Sequence, residues 1–301
     1  MSAFTLAVLI TITACKKEST PTQDQGPELT VHTEDQARVS NELDVVTSEI
    51  NVALEVNPYF SGRLQNIANF CGVTATPDTT NGIRKITLEY DGEDCTGTQM
   101  RTGTVVITLS SGQYWKTAGA TLNVSFQNLK ITRISDNKSL TINGTHTITN
   151  VTGGLISDLS AGNSIKHTIT SNNLSITFSD GTQRTWQVAR QRVYSFDNGI
   201  VITITGTHTN GSVTGIAEWG KDRFDREFST AITQPMVIRQ DCEFRLTAGQ
   251  VQHNRMGSTS TVTFGLDQNG NATSCPATGS FYFKLVYTGP AGNSQSFIAP
   301  Y

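Results

Sequence analysis

Apolar and polar residues alternate along most of the chain beyond residue 83. Ile86, Leu88 and Tyr90 alternate with polar neighbours, and similar runs return repeatedly as far as residues 281–285. A period of two is typical of β-strands that bury one face and expose the other. We therefore predict a mainly β fold, a large, twisted, sandwich-like antiparallel meander, over residues 58–301.

Two dipeptides predict how neighbouring strands are joined. Asp180-Gly181 and Asn210-Gly211 each lie between two alternating runs. Both dipeptides favour the positive φ angles of type I′ hairpin turns. The sequence Gly-Thr-His-Thr occurs at 144–147 and again at 206–209, which suggests that the β domain consists of two related halves.

One helix is predicted before the strands, over residues 33–57. Thr33 and Gln36 have the spacing of a capping box. The acidic residues of one helix face, Glu42, Asp44 and Glu49, are expected to face solvent. An apolar stripe at spacings of three and four marks the other face, which is expected to lie on the sheet: Val39, Leu43, Val46, Ile50, Ala53 and Leu54.

The first residues have the pattern of a secretory signal. The apolar run at 4–12 is shorter than the about 20 residues that span a bilayer, but it fits a signal peptide. Thr13 and Ala14 are small residues directly before Cys15. The arrangement resembles the bacterial lipobox, which implies removal of residues 1–14 and a diacylglycerol plus an N-acyl chain such as palmitate on Cys15. The alternative is an ordinary cleaved signal with a chance cysteine.

A polar segment separates Cys15 from the predicted helix. Residues 16–29 contain two prolines and show no apolar periodicity. We interpret 15–32 as the lipidated cysteine and a flexible tether. Two or more acyl chains give stable anchoring, so the lipid bilayer is the first expected partner, through acylated Cys15.

The remaining four cysteines are Cys71, Cys95, Cys242 and Cys275. An even number in an exported protein predicts two disulfides. Three connectivities are possible, and we favour Cys71–Cys95 with Cys242–Cys275 because each pair closes a loop of a few tens of residues. The absence of Cys-x₂-Cys spacing argues against a four-thiolate metal site.

Charge argues against one class of partner. Charged residues make up 16% of the chain and the net charge is −3. No basic patch stands out in the sequence, so nucleic acid is not an expected partner.

Several features together resemble uncharacterised lipoproteins of Bacteroidota-type outer membranes. They are Cys15-Lys16-Lys17, the acidic helix near 35–50, the segment ITLEYDGEDCTGTQMRTGTVVITL, Trp186, and a final turn with Cys275. The resemblance implies an outer-membrane lipoprotein, lipid-anchored and facing the periplasm or the cell surface. It implies no catalytic residue.

Four aromatic residues are candidates for ligand binding. Tyr114, Trp115, Trp186 and Trp219 would stack on sugar rings if they were exposed on one face. The alternative is that they fill the core or cover a sheet edge.

Few residues suggest catalysis. Glu218 lies on one side of Trp219, and Asp222 and Asp225 lie on the other. Glu218 with Asp222 or Asp225 is therefore a candidate for the paired carboxylates of a glycosidase cleft. The same stretch mixes both charge signs, which is more typical of a solvated hairpin end. No nucleophile, zinc-protease or phosphate-loop motif occurs.

Metal ligands are equally sparse. His146 and His208 lack a third ligand at a fixed spacing, and the Asp267 turn lacks the glycine and the closing glutamate of a calcium loop. We predict neither a metal nor a cofactor.

We therefore predict a membrane-anchored envelope lipoprotein with a non-catalytic binding or structural role. A glycan or an envelope protein is its expected further partner. The alternatives are a carbohydrate-binding or adhesin module and a glycan-active hydrolase.

Overall fold

The computed structural model describes residues 26–62, 71–110, 113–275 and 279–301. The predicted signal, Cys15 and residues 16–25 lie outside these ranges, so lipidation stays a prediction. The chain divides into two compact units, 1–42 and 43–301. The described residues of the first unit form the beginning of a helix, and all strands belong to the second unit.

Two helices precede the strands. Helix α1 spans Gly26–Val56 and α2 spans Pro58–Ser61. Helix α1 therefore begins at Gly26, seven residues before the predicted start at Thr33. Pro27 lies in the first turn, where its missing N–H costs no hydrogen bond. Neither described helix is long and apolar enough to cross a membrane.

The apolar stripe of the helix is confirmed within the second unit. These stripe residues are buried: Leu43, Val46, Ile50, Ala53 and Leu54.

The described residues contain fifteen strands: β1 (Val73–Asp78), β2 (Arg84–Glu93), β3 (Gln99–Leu109), β4 (Ala120–Arg133), β5 (Ser139–Asn150), β6 (Ser164–Phe178), β7 (Gln183–Phe196), β8 (Ile200–Gly206), β9 (His208–Asn210), β10 (Val213–Lys221), β11 (Glu227–Arg239), β12 (Arg245–Arg255), β13 (Ser258–Leu266), β14 (Tyr282–Thr288) and β15 (Ser294–Pro300).

These strands form one antiparallel sheet whose order largely follows the chain. Each strand from β1 to β7 pairs with the next, and so does each strand from β10 to β15. Strand β7 pairs with both β8 and β10, and β11 also pairs with both. The predicted mainly β antiparallel fold with one N-terminal helix is confirmed.

Both predicted hairpins are present, but their turns are not type I′. Asp180-Gly181 joins β6 to β7, and Asn210-Gly211 joins β9 to β10. Only the glycines have positive φ, +82° and +59°, whereas type I′ needs positive φ at both central residues. The β6–β7 loop is longer than two residues, whereas Asn210 pairs with Val213 and leaves Gly211 and Ser212 as the central residues of the second turn. In both turns glycine alone takes the left-handed conformation.

Bulges bend the sheet between β3 and β7. The register shifts at each of the four successive strand pairs in this region. At Gly144, φ is +120° and a Cβ would lie 2.5 Å from the Asn173 carbonyl oxygen, so glycine is required there. Such bulges increase curvature, and this part of the sheet contacts residues 43–56 of α1 on more than one side.

Helix α1 contacts both arms of the bent sheet. Glu49 accepts hydrogen bonds from Arg101 of β3 at 2.7 Å and from Tyr90 of β2 at 2.9 Å. Asp44, about 140° away around the helix, accepts one from Arg190 of β7 at 3.0 Å. The prediction that this acidic face is solvated is wrong for Asp44 and Glu49, because the sheet surrounds the helix.

The four described cysteines form two disulfides. Cys71 pairs with Cys95 and Cys242 with Cys275, with Cα–Cα distances of 5.0 and 5.6 Å. Both distances lie within the usual disulfide range. The favoured local connectivity is confirmed.

Candidate functional site

An apolar pocket opens between the C-terminal half of α1 and strands β7 and β8. Its volume is about 190 Å³. Val52 and Phe244 are 41% and 51% exposed, so the mouth of the pocket reaches solvent. Five side chains supply the apolar lining: Val52, Ile156, Ile200, Ile202 and Phe244.

The local backbone beside Phe244 is unusual. Glu243 and Phe244 have φ angles of +59° and +56°, and each non-glycine residue in this region costs of order 1 kcal/mol or more. The turn is held by the adjacent Cys242–Cys275 disulfide and by a bond from the Phe244 N–H to the Arg239 carbonyl at 2.9 Å. Backbone strain of this kind is concentrated at functional sites.

Four polar side chains complete the pocket: Ser48, Asn51, Glu55 and Tyr194. The first three recur at spacings of three and four, which places them on one face of α1. Asn51 Nδ2 donates to the Tyr194 hydroxyl at 3.3 Å. A mainly apolar lining with a few fixed polar groups is the usual composition of a small-molecule site.

Glu55 is the carboxylate of this pocket. It accepts hydrogen bonds from the backbone N–H groups of Ile156 and Ser157 at 2.6 and 3.0 Å. Burial raises the pKa of the Glu55 carboxyl, and these two bonds oppose the increase. The helix and the single-turn 3-10 helix Ile156–Asp158 therefore hold the carboxylate at the pocket wall.

Aromatic packing positions Tyr194. The His167 ring lies 5.0 Å from Tyr194 and 4.9 Å from Trp115. Burial lowers the pKa of His167 to about 3, so this histidine is neutral near pH 7. The row of rings supports the polar end of the pocket, where buried Arg192 donates to the Tyr194 hydroxyl and is itself paired with Asp44.

The four candidate sugar-binding aromatics do not form one exposed face. Trp115 and Trp186 are buried, so the proposed binding role is wrong for both as they lie in the structure. Trp219 is half-buried and stacks on His208 at 4.0 Å between ring centres. Tyr114 is exposed, and Arg84 lies over its ring at 4.1 Å. Trp186 lies with Val188 on the buried face of β7, in agreement with the alternative that these aromatic residues fill the core.

The candidate catalytic carboxylates each have a cationic partner. Glu218 is buried and pairs with Arg190. Asp222 pairs with buried Arg255 at 2.6 Å, and exposed Asp225 pairs with Lys221 at 2.8 Å. The stretch is a hairpin between β10 and β11, as predicted. The prediction that it is solvated is wrong for Glu218 and Asp222, which are buried.

The weaker metal candidates have local structural roles. His146 is buried on β5 beside Phe126, and burial together with nearby Arg190 lowers its pKa to about 3. Asp267 accepts bonds from two backbone N–H groups of its own turn. Within the described ranges, three potential ligands meet only around the Cys242–Cys275 disulfide.

The sequence contains one signal of the pocket that pattern reading missed. Ser48, Asn51, Val52 and Glu55 have helical spacing of their own, off the apolar stripe. A solvated face explains that spacing equally well, because the partners in β7, β8 and the Phe244 turn are distant in sequence.

Comparisons with protein-family models, with curated proteins and with solved structures find no match to this chain. The fold and site define it as a mainly β protein with an apolar pocket between a helix and a curved antiparallel sheet.

Proposed function

We propose that this protein is an envelope lipoprotein that binds a small apolar molecule, or the apolar part of a larger one, in the pocket between α1 and β8. The observation that carries the proposal is the open apolar cavity of about 190 Å³ with fixed polar groups in its wall. The role is binding without catalysis.

The size of the pocket supports a small ligand group. An apolar cavity of about 150 Å³ is large enough to bind benzene, whereas drug-sized ligands occupy about 300–1,000 Å³. At about 190 Å³, the pocket suits one aromatic ring or a short alkyl segment.

Anchoring to the outer membrane through acylated Cys15 is part of the same proposal. Its support is the lipobox-like sequence before Cys15 and the polar segment after it. Helix α1 begins at Gly26, eleven residues after Cys15 (26 − 15). Eleven extended residues span at most about 40 Å, so the anchor would hold the helix start within that distance of the membrane.

Replacing Cys15 with serine tests the anchor. The variant should move from the membrane fraction to the soluble fraction, because no acyl chain can be attached to serine by a thioether. Unchanged membrane partitioning would refute lipidation at Cys15 and leave the pocket proposal standing.

Helix α1 offers a matched pair of variants for the pocket. Val45 and Val52 lie seven residues apart on the same face and are each 41% exposed, but only Val52 lines the pocket. The full chain with Cys15→Ser serves as the background, which avoids detergent. The neutral single-ring probe benzene, which a cavity of this size accepts, reports binding in an NMR titration.

We expect saturable probe binding by the background protein and by Val45→Asp. Val52→Asp should weaken binding at least tenfold, because it places a carboxylate against an apolar ligand group. Both substitutions alter surface residues, so urea unfolding should show similar stability. Absent binding in the background, or equal binding by the two variants, would contradict the proposal.

A further inference from the structure

Glu55 differs from the other acidic residues of α1 in the second unit. Asp44 and Glu49 pair with arginines of the sheet. Glu55 is buried at the pocket wall, and in the described part of the chain it forms no ion pair with a lysine, arginine or histidine. Its described partners are neutral: the N–H groups of Ile156 and Ser157 and the Ser157 hydroxyl.

The carboxylate has unused capacity for hydrogen bonds. An ionised carboxylate offers about four lone-pair positions, and the two N–H groups and the Ser157 hydroxyl occupy three of them. Nearby Asp158 adds negative charge, and both this charge and burial raise the pKa of the Glu55 carboxyl. A donor or a cation supplied by a ligand would offset both effects.

The other polar groups of the pocket carry no charge. Ser48, Asn51 and Tyr194 are neutral hydrogen-bonding side chains. The lining therefore contains one carboxylate and no cation to accept an anionic ligand group. Arg192 contacts the lining residue Tyr194, but its charge is paired with Asp44. A ligand carboxylate or phosphate would meet like charge in a partly desolvated site, which is costly.

We propose that the pocket selects apolar ligands whose polar end is a hydrogen-bond donor, an amine first and an alcohol second, and rejects anionic amphiphiles such as fatty-acid anions. The inference rests on the proposed binding function and specifies its ligand class. The ligand amine or hydroxyl donates to Glu55, while its alkyl part contacts Ile200 and Ile202.

Three ligands of equal chain length test the selection: hexylamine, 1-hexanol and hexanoate. Six carbons match the size of benzene, which a cavity of about 150 Å³ accepts. Dissociation constants are measured at pH 7.5 by NMR titration of the full chain with Cys15→Ser. We expect hexylamine to bind most tightly and hexanoate at least tenfold more weakly than hexanol.

Glu55→Gln tests the residue. It should reduce the preference for hexylamine over hexanoate at least tenfold, because glutamine is neutral and isosteric. Glu89→Gln is the matched control: it removes the same charge from an exposed carboxylate on β2 that is not part of the pocket lining, and should leave the order unchanged.

The outcomes separate the two proposals. If none of the three ligands binds, the proposed binding function fails. If all three bind alike, or if Glu55→Gln leaves the preference intact, the inference about Glu55 fails and the pocket remains a binding site. If Glu55→Gln does not fold, the order of affinities for the three ligands in the unsubstituted pocket tests the inference. An order other than hexylamine, hexanol, hexanoate would refute it.

Discussion

The contact between Glu49 and the sheet provides a direct test of how α1 is surrounded. Glu49 Oε1 lies 2.7 Å from Arg101 Nη1, and the two side chains are 15% and 4% exposed. Buried Tyr90 also donates to Glu49. Glu49→Ala would remove the carboxylate that both groups use.

The expected loss is about 3 kcal/mol of unfolding free energy. Removing one partner of a buried ion pair costs about 3–5 kcal/mol, because the other charge stays buried without compensation. We expect the lower end, since Arg101 also donates to the Cys71 carbonyl at 3.1 Å. At about 2–4 °C per kcal/mol for a chain of this size, Tm falls by roughly 6–12 °C.

Urea unfolding followed by circular dichroism measures the change. Asp136→Ala is the control, because Asp136 pairs with Arg133 at an exposed site, where solvent and salt screen the pair and it contributes little to stability. The double variant Glu49→Leu with Arg101→Met should recover most of the loss, since no charge remains buried. A Glu49→Ala loss no larger than that of Asp136→Ala would refute the described position of the helix.

Three further predictions concern stability. His146 has a pKa of about 3 in the folded protein and of about 6.5 in the unfolded chain. Between these two pH values the unfolded state binds more protons than the folded state. The free energy of unfolding therefore falls as the pH falls. His146→Gln should remove about 2 kcal/mol of the loss between pH 6.5 and pH 5. Gly144→Ala should cost at least about 2 kcal/mol more than Gly162→Ala in urea unfolding, because both glycines have positive φ but only Gly144 has a carbonyl where Cβ would lie. Replacing Cys71 and Cys95 with serine should cost about 3–4 kcal/mol by loop entropy, for a separation of 24 residues.

Each of these predictions has a result that contradicts it. An unchanged pH dependence in His146→Gln would mean that this histidine titrates normally when folded. Equal costs at Gly144 and Gly162 would argue against the bulge geometry. If the variant with serine at both Cys71 and Cys95 were as stable as the disulfide-bonded protein, the cross-link would not constrain the unfolded chain.

Local patterns predicted the strands and hairpins well. Leu122 and Val124 are buried on β4 as their alternation indicates, because a pleated strand turns every second side chain to the same face. The hairpin at Asp180-Gly181 was equally clear, since turn residues act within a few positions. The start of α1 was not clear from the sequence, because a capping-box pattern also occurs inside a helix.

The charged face of α1 shows where local patterns are insufficient. Asp44 and Glu49 have the spacing of a solvated face, yet the sheet curves around the helix and places Arg190 and Arg101 against them. The pocket has the same origin. Val52 and Glu55 belong to one helix face, while Ile202 and Phe244 come from segments about 150 and 190 residues later.

The amino-acid sequence by itself determined the mainly β class, the N-terminal helix, the hairpin positions and the local cysteine pairing, because each depends on residues close together in the chain. Only the tertiary structure decided which helix face was covered, which tryptophans were buried, and where the pocket formed. Those properties depend on the curvature of the sheet. The curvature accumulates from small bulges in several strands, and it brings residues together that are distant in the sequence.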